Sequence, residues 1–564
     1  MLRVFAYTGG VNRTTTFSLE SQGNANAILI AFDNNEEDFC IHSIKVNECK
    51  NSFNKYRVIL FFVVFFLVAF GWSYRKEKYE YQRKDSKVIF VIIGTILVIF
   101  CIFIWKACAV HGVDNIEYKK ENLGQNIYLY MFDSWKKGIT YLDIDADSKL
   151  LELQNVYDRS ERDAEGCSYM WDYAYYDGKY FSYYGITPLV LVYIPYNIVT
   201  GMLPNDFVTG LILNILNMVA LCCVFYSILE LFEIKCNLVL IVLESFAVAA
   251  GSMMYSLQSC ANQLYNLNLC TCFCMLLFIF SSIRAYISRC ATQYVYIFIA
   301  GLSAVLLVES RPNAIISAGL FVAPLYLLYL QNQNVEKRKK FILVGCFVMV
   351  LGIGAVWVCW YNYSRFGNII DFGKNYQLTA YDANYYNVTI EIKKIICSIY
   401  YYLFEAPSFI GRFPFIVLND LPVDGMGHYV LKDPNMGIVF IPFIFGILFI
   451  HYVKKKKREN KMLLFGIIGS FICIYLDFNL GGVQLRYHTD YVLVLLLIAF
   501  VSIAEADAYF ETFADGKIFR KMFSGLCLLT IFVGAMLVFS NQLNIIKEQN
   551  PIIYSEIVKL FTVD

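Results

Sequence analysis

A chain of 564 residues that is 58% hydrophobic and only 16% charged lies far from soluble compositions, in which charged residues make up about 25%. Its formal net charge of +1, with no basic domain, argues against a nucleic-acid partner. A mean hydropathy of +0.51 and many apolar runs close to the ~17–20 residues that cross a hydrocarbon core point instead to an all-α polytopic membrane protein.

In chain order, residues 1–55 come first, with "TTTFSLE", "NAILIAF" and "FCIHSIKV" showing short β-type alternation between Gly and Asn breaks. This reads as an external β-rich segment, the remnant of a truncated domain, in which Cys40 and Cys49 could pair if exported. The other cysteines sit mostly inside apolar runs, where they behave as small hydrophobes. Residues 56–107 hold two expected spans, 57–72 and 88–107, joined by the basic linker "RKEKYEYQRKDSK".

The first large external loop, 108–187, opens with "QNIYLYMFDSWKKGITYLDI". Tyr128, Met131 and Trp135 fall on one helical face and Gly138 is placed as a C-cap. Asp133 projects elsewhere, either on the solvated side of an interfacial helix or as a carboxylate facing the bundle. Next comes "WDYAYYDGKYFSYYGITP", 171–188, where Asp177-Gly178 between aromatic runs predicts a type I′ hairpin. That register sets Tyr176 against Lys179, Ala174 against Phe181 and Asp172 against Tyr183. Trp171, Tyr173, Tyr175, Tyr180 and Tyr184 then share the packed face, leaving Asp172 among Tyr176, Lys179 and Tyr183 as a sugar-binding surface.

Residues 188–203, "PLVLVYIPYNIVTGML", form a thirteenth apolar run with Pro195 in its middle. The basic loops 75–87, 336–340 and 454–461 all face the cytoplasm only if this run does not cross, so it is read as a juxtamembrane helix. A bundle over 204–360 follows, with spans near 208–232, 237–256, 264–284, 293–308, 313–330 and 341–360. At its outer rim "VESRPNA" places Glu309 and Arg311, which at such depth must pair or line a wet cavity. A second external loop, 361–435, opens with "YNYSRFGNIIDFGKNYQLT". The C-terminal region 436–540 carries spans near 436–453, 462–477, 490–506 and 521–540, with "QLRYHTDY" setting Arg486 and His488 just outside a span. An external tail, 541–564, closes the chain. About twelve transmembrane helices result.

With "DSWKKG", "YLDI", "WDYAYYDGKYFSYYGITP", "SRPN", "YNYSRFGNIIDFGKNYQLT" and "LRYHTDY", the chain resembles the GT-C class of membrane glycosyltransferases over roughly 120–510. The likeness is to a bacterial glycosyltransferase-like branch related to the protein O-mannosyltransferase and aminoarabinose transferase superfamily. Two features depart from the class: two spans precede the first loop, and Gln125 and Asn126 stand where an acid is common.

The resemblance implies an inverting transfer of sugar from a polyprenyl-phosphate donor to a glycan, lipid or protein acceptor. The site would face outward from the plasma membrane. Asp133 or Asp172 would be the catalytic carboxylate, Arg311, Arg486 and His488 would take the donor phosphate, and Tyr176, Lys179 and Tyr183 would hold sugar. A divalent metal (Mg or Mn) is compatible with this chemistry, though no ligand cluster demands one. Two other readings stand beside it: a lipid-linked-sugar flippase or transporter, for which Glu244 is the clearest intramembrane acid, and a polysaccharide polymerase or ligase of another fold.

Overall fold

The computed structural model describes residues 86–108, 126–234, 237–288, 290–380, 382–385, 388–419, 433–453, 458–511, 513, 516–541 and 543–561. The expected segment 1–55, the span 57–72 and the Cys40–Cys49 pair lie outside them. The all-α polytopic fold expected from composition is the fold observed: among the described residues, ten helices are long and apolar enough to cross a membrane. They are α1 (Ser86–Cys108), α5 (Asp206–Phe232), the broken pair α6 (Leu238–Gly251) and α7 (Met254–Cys260), α8 (Gln263–Ile287), α9 (Thr292–Ser310), α10 (Ala314–Gln331), α11 (Lys337–Phe366), α13 (Lys461–Gly481), α14 (Val492–Phe510) and α15 (Gly516–Leu537). Shorter helices α2 (Ile127–Lys136), α3 (Arg159–Ala164), α4 (Ile194–Thr200) and α12 (Ile392–Ile399) belong to the loops.

Asparagine starts several of these helices. Asn126, Asn205, Asn237 and Asn262 cap α2, α5, α6 and α8, each side chain accepting a first-turn N–H that would otherwise go unpaired. At the other terminus of α2, Gly138 takes the left-handed conformation (φ 73°) and donates its N–H to the Trp135 carbonyl, which stops the helix.

Polar contacts sort the bundle into two ends. At one, Arg284 pairs with Glu230 (2.7 Å), Arg520 with Asp507 (2.8 Å), and Tyr286 donates to Glu459. At the other, Asn126 donates to Asp206, Arg311 pairs with Asp490, and His488 meets Asn435. We call the second the loop end. The stretch from Ile438 to Tyr452 runs between the two, since Asn435 belongs to the loop end while Tyr452 stacks on Tyr509 and Phe510 next to the Asp507–Arg520 pair. It is wound as 3-10 helix, Ile438–Phe440 and Pro442–Tyr452, not as the α-helix its apolarity suggests. At about 2 Å per residue this tighter helix covers about 30 Å, a full hydrocarbon thickness, in fewer residues than an α-helix needs.

The segment after the hairpin starts and finishes at the loop end. Leu189–Tyr193 is a π-helix continuing into α4, and Asn205 then caps α5 beside Asn126 and Asp206. Its entry is pinned to the top of α9. Thr187 donates to the Leu306 carbonyl (2.7 Å), and Gly185 lies so close to Glu309 that a Cβ would sit 1.2 Å from its carbonyl oxygen.

The two loops form one unit. Strands β1 (Ala174–Tyr176) and β2 (Lys179–Phe181) pair Ala174 with Phe181 and Tyr176 with Lys179 around Asp177-Gly178, both at positive φ as a type I′ turn requires. The second loop lies along β1: Asp172 N–H donates to the Leu378 carbonyl and Leu378 N–H to the Tyr173 carbonyl. Arg162 of α3 is fully buried beneath, donating to the carbonyls of Val156 and Thr379 and stacking on Tyr169.

The Gly185 contact is with backbone, which cannot rotate away. Gly185→Ala is therefore expected to cost at least about 3 kcal/mol, read as a lower unfolding temperature in detergent. Gly319→Ala, in α10 with open space around it, should leave that temperature unchanged.

Candidate functional site

The chemistry-bearing side chains at the loop end form two linked groups. In the first, Asp172 stands just before β1 at φ 67°. Tyr183 donates to its Oδ1 (2.9 Å) and Tyr184 to its Oδ2. Burial and the neighbouring Asp172 charge push both phenols well above their ordinary range, so both remain protonated donors. Each carboxylate oxygen keeps a second lone-pair site, so two tyrosines orient Asp172 without exhausting it.

The second group gathers around the turn Leu485–Asp490. Arg311, at the C-terminus of α9, donates through Nε to both oxygens of Asp490 (2.7 and 2.9 Å). Its Nη2 lies 3.7 Å from Asp477 of α13, whose other contact is Asn313 (2.8 Å). Burial works against the guanidinium charge, but Asp490 and Asp477 outweigh it and hold Arg311 firmly protonated. Arg311 also lies over the Tyr487 ring (4.2 Å), and Arg486 lies over the same ring (5.5 Å). Arg486 has a looser partner, Asp433 at 3.6 Å, and its side chain is partly exposed.

Tyrosines join the groups. Tyr184, bound to Asp172, is within electrostatic reach of Arg486, and Tyr183 is within reach of Tyr487. A carboxylate and two guanidinium groups thus share one aromatic-walled region at the bundle rim.

The expected residues fall unevenly around this region. Asp172, Tyr183, Arg311 and Arg486 come together. Tyr176 and Lys179 are engaged elsewhere. Tyr176 packs on Tyr376 of the second loop (4.7 Å) and on Phe366 at the end of α11 (6.0 Å), while Lys179 stays exposed over Tyr141 of the first loop (4.3 Å). Asp133 is half-buried on α2 with no hydrogen bond or ion pair to its carboxylate among the described residues.

His488 departs most from its expected role. It is fully buried, its Nε2 against Asn435 Oδ1 (3.0 Å) and its Nδ1 receiving the Tyr491 hydroxyl (3.1 Å). Because the Asn435 amide nitrogen donates to Tyr401 and Glu405, its oxygen accepts, which assigns the ring proton to Nε2. Burial lowers the His488 pKa to about 3. A neutral, enclosed imidazole supplies no cation to a phosphate.

One face assignment is corrected. Trp171 was expected on the packed face, yet it is exposed beside Arg159; Tyr184 is buried in the core as expected, with its hydroxyl on Asp172. The ladder runs only from Ala174 to Phe181, and the positive φ of Asp172 breaks the alternation before it. Nor does Arg311 pair with Glu309. Glu309 lies within reach of Arg365, which donates to Asn362 (2.6 Å) and to the Ser182 carbonyl.

Sequence reasoning passed over Asp206, Asp477 and Asp490. Asp206 opens α5 and accepts from Asn126 (2.9 Å) and Asn266 (3.1 Å). An acid inside or at the edge of an apolar run was the available signal for all three. Among the described residues no three His, Cys, Asp or Glu side chains converge on one point as a metal site.

No protein-family model matches the chain, and no curated protein does. Among solved structures it is similar to an archaeal oligosaccharyltransferase, AglB from Archaeoglobus fulgidus, in complex with an inhibitory peptide and a dolichol-phosphate. The identity is 13%, over 82% of this chain and 56% of that one, with a TM-score of 0.41. This chain therefore spans little more than half the length of that structure.

Two stability predictions follow from the second group. Arg311→Met leaves two buried carboxylates facing each other and should cost about 3–5 kcal/mol, partly recovered by adding Asp490→Asn. For His488 the folded pKa lies below the unfolded value, so the unfolded chain binds the extra proton and stability falls as pH drops from about 6.5 towards about 3. The slope is about 1.4 kcal/mol per pH unit. In denaturation followed across that window, His488→Gln should flatten this part of the acid sensitivity.

Proposed function

We propose that this protein is a membrane glycosyltransferase that moves a sugar from a polyprenyl-phosphate donor to a hydroxyl acceptor at the loop end of the bundle. One observation carries the reading: Arg311 and Arg486 lie over a single tyrosine ring, and Tyr184, within electrostatic reach of Arg486, holds the Asp172 carboxylate. A departing lipid phosphate needs fixed positive donors, and an attacking hydroxyl needs an oriented base; both are present at one rim. The sequence resemblance described above adds support.

Arg486 is the principal phosphate donor group in this proposal, because its ion pair with Asp433 is long (3.6 Å), whereas Asp490 holds Arg311 at 2.7 Å. Arg311 directs its Nε inward to Asp490 and contributes its remaining N–H groups and its charge. Asp172 accepts the proton of the attacking hydroxyl, and Tyr183 and Tyr184 fix its orientation. Asp133 is the second candidate carboxylate. The Lys- and Arg-rich start of α11, together with Arg458 and Lys461 at the start of α13, lies at the opposite end, which supports an outward-facing loop end in a plasma membrane. The acceptor would be a cell-surface glycan, a lipid or a protein.

A carrier is the second reading, favoured by Glu244, which is fully buried in α6 with neither oxygen hydrogen-bonded among the described residues. Complementing a deletion strain with variants, and measuring surface glycans by mass spectrometry, separates the two. Asp172→Asn and Arg486→Ala are each expected to reduce the glycan product about 100-fold or more, with Glu244→Gln close to wild type. Full activity in both Asp172→Asn and Asp133→Asn would overturn the carboxylate mechanism, and loss only in Glu244→Gln would favour the carrier.

A further inference from the structure

The second loop contains a helix whose apolar face is not covered by any of the described residues. The helix α12 continues without a break into a π-turn, Tyr400–Phe404. Along it Ile392, Ile396, Tyr400 and Phe404 recur every fourth residue, and each is more than half exposed (78, 62, 52 and 54%). The opposite side faces inward. Ser398 and Tyr402 are buried, and Tyr402 donates to the Gly482 carbonyl (2.8 Å) while its ring packs on His488 (5.3 Å).

What would cover the outer stripe is indicated by where the helix is attached. On α13, Leu464, Ile468 and the pair Phe471 and Ile472 form the exposed apolar stripe of a membrane-length helix. Tyr475 is the next residue of that stripe, and it anchors the start of α12: its hydroxyl donates to the Thr389 carbonyl and accepts the Glu391 N–H (3.3 Å). Tyr475 lies about 9 Å before the end of α13, at 1.5 Å per residue. The helix α12 therefore begins on the lipid-facing side of α13, below its rim, and its own stripe continues the same surface. Lys393 and Lys394 follow directly, with Lys394 near Glu391 (3.4 Å), as cationic side chains do where an amphipathic helix meets lipid headgroups.

From this continuity we propose that Ile392–Phe404, within what reads in sequence as an aqueous loop, is embedded in one leaflet of the bilayer. Its outer stripe packs against lipid hydrocarbon. The inference is independent of the reaction assigned to the site. It makes this helix a wall between lipid and the residues behind Arg486, because Tyr402 links the stripe to the His488 layer.

The full chain in proteoliposomes tests this. A bilayer-partitioned photoreactive hydrocarbon and, separately, aqueous hydroxyl radicals are applied, and modified peptides are mapped by mass spectrometry. The peptide spanning 392–404 should take up the hydrocarbon label to the extent of the α13 peptide and several-fold more than peptides from 140–170, with little radical modification. Ile392→Glu with Ile396→Glu should abolish its hydrocarbon labelling while the α13 peptide keeps its own, which shows that the bundle is still folded. Strong radical modification of the wild-type segment would overturn the proposal. So would protection from both labels, the outcome expected if a second copy or another protein covers the stripe.

Discussion

Arg311 with Asp490 and Asp477 is the constraint on which the loop end depends. One guanidinium at the top of α9, itself only partly exposed, is shared by two buried carboxylates, one from α13 and one from the turn before α14. Charges so placed are costly alone and tolerable only together, so the three helices cannot separate or slide without exposing one of them. Tyr487 then lies flat against Arg311, and Arg486, one residue earlier, is delivered over the same ring. His488 is part of this packing: neutral, enclosed and hydrogen-bonded at both nitrogens, it stiffens the turn that carries Arg486.

The other half of the site is reached by a different route. The hairpin does not rest on the bundle by its own face alone. It is held from above by Leu378 and from the side by Arg162, which reaches the carbonyl of Thr379. Close backbone approach at Gly185 then locks the chain to Glu309, two residues from Arg311. Acid and cation groups thus arrive at one rim from opposite ends of the α9 terminus. The registry between them is set by backbone packing, which is stiffer than any surface ion pair.

Local features were legible beforehand. The Asp177-Gly178 turn, the pairing of Ala174 with Phe181, and Gly138 at the end of α2 follow from residues a few positions apart, where turn chemistry and side-chain period act directly. Asp172 was picked out as a carboxylate set among aromatic rings by the hairpin register, and Arg486 as a charge just outside a span, where charge is expensive and needs a reason. His488 met the same criterion and proved different, because exposure of an imidazole is a property of its packed surroundings. Tyr176 is enclosed for a related reason: Tyr376 and Phe366, far along the chain, pack on its ring.

Amino-acid sequence by itself determined the membrane class, the positions of the long apolar helices, the hairpin and its register. Each of these depends on composition or on a period within one segment, and a bilayer or a tight turn selects them without reference to the rest of the chain. Only the tertiary structure decided that Arg311 takes Asp490 rather than Glu309, that Tyr184 turns to Asp172, and that the run to Tyr452 winds as 3-10 helix. Such outcomes depend on which of several polar groups meet once the helices pack. A buried charge takes the partner that packing brings within reach, and the order of residues alone does not specify that meeting.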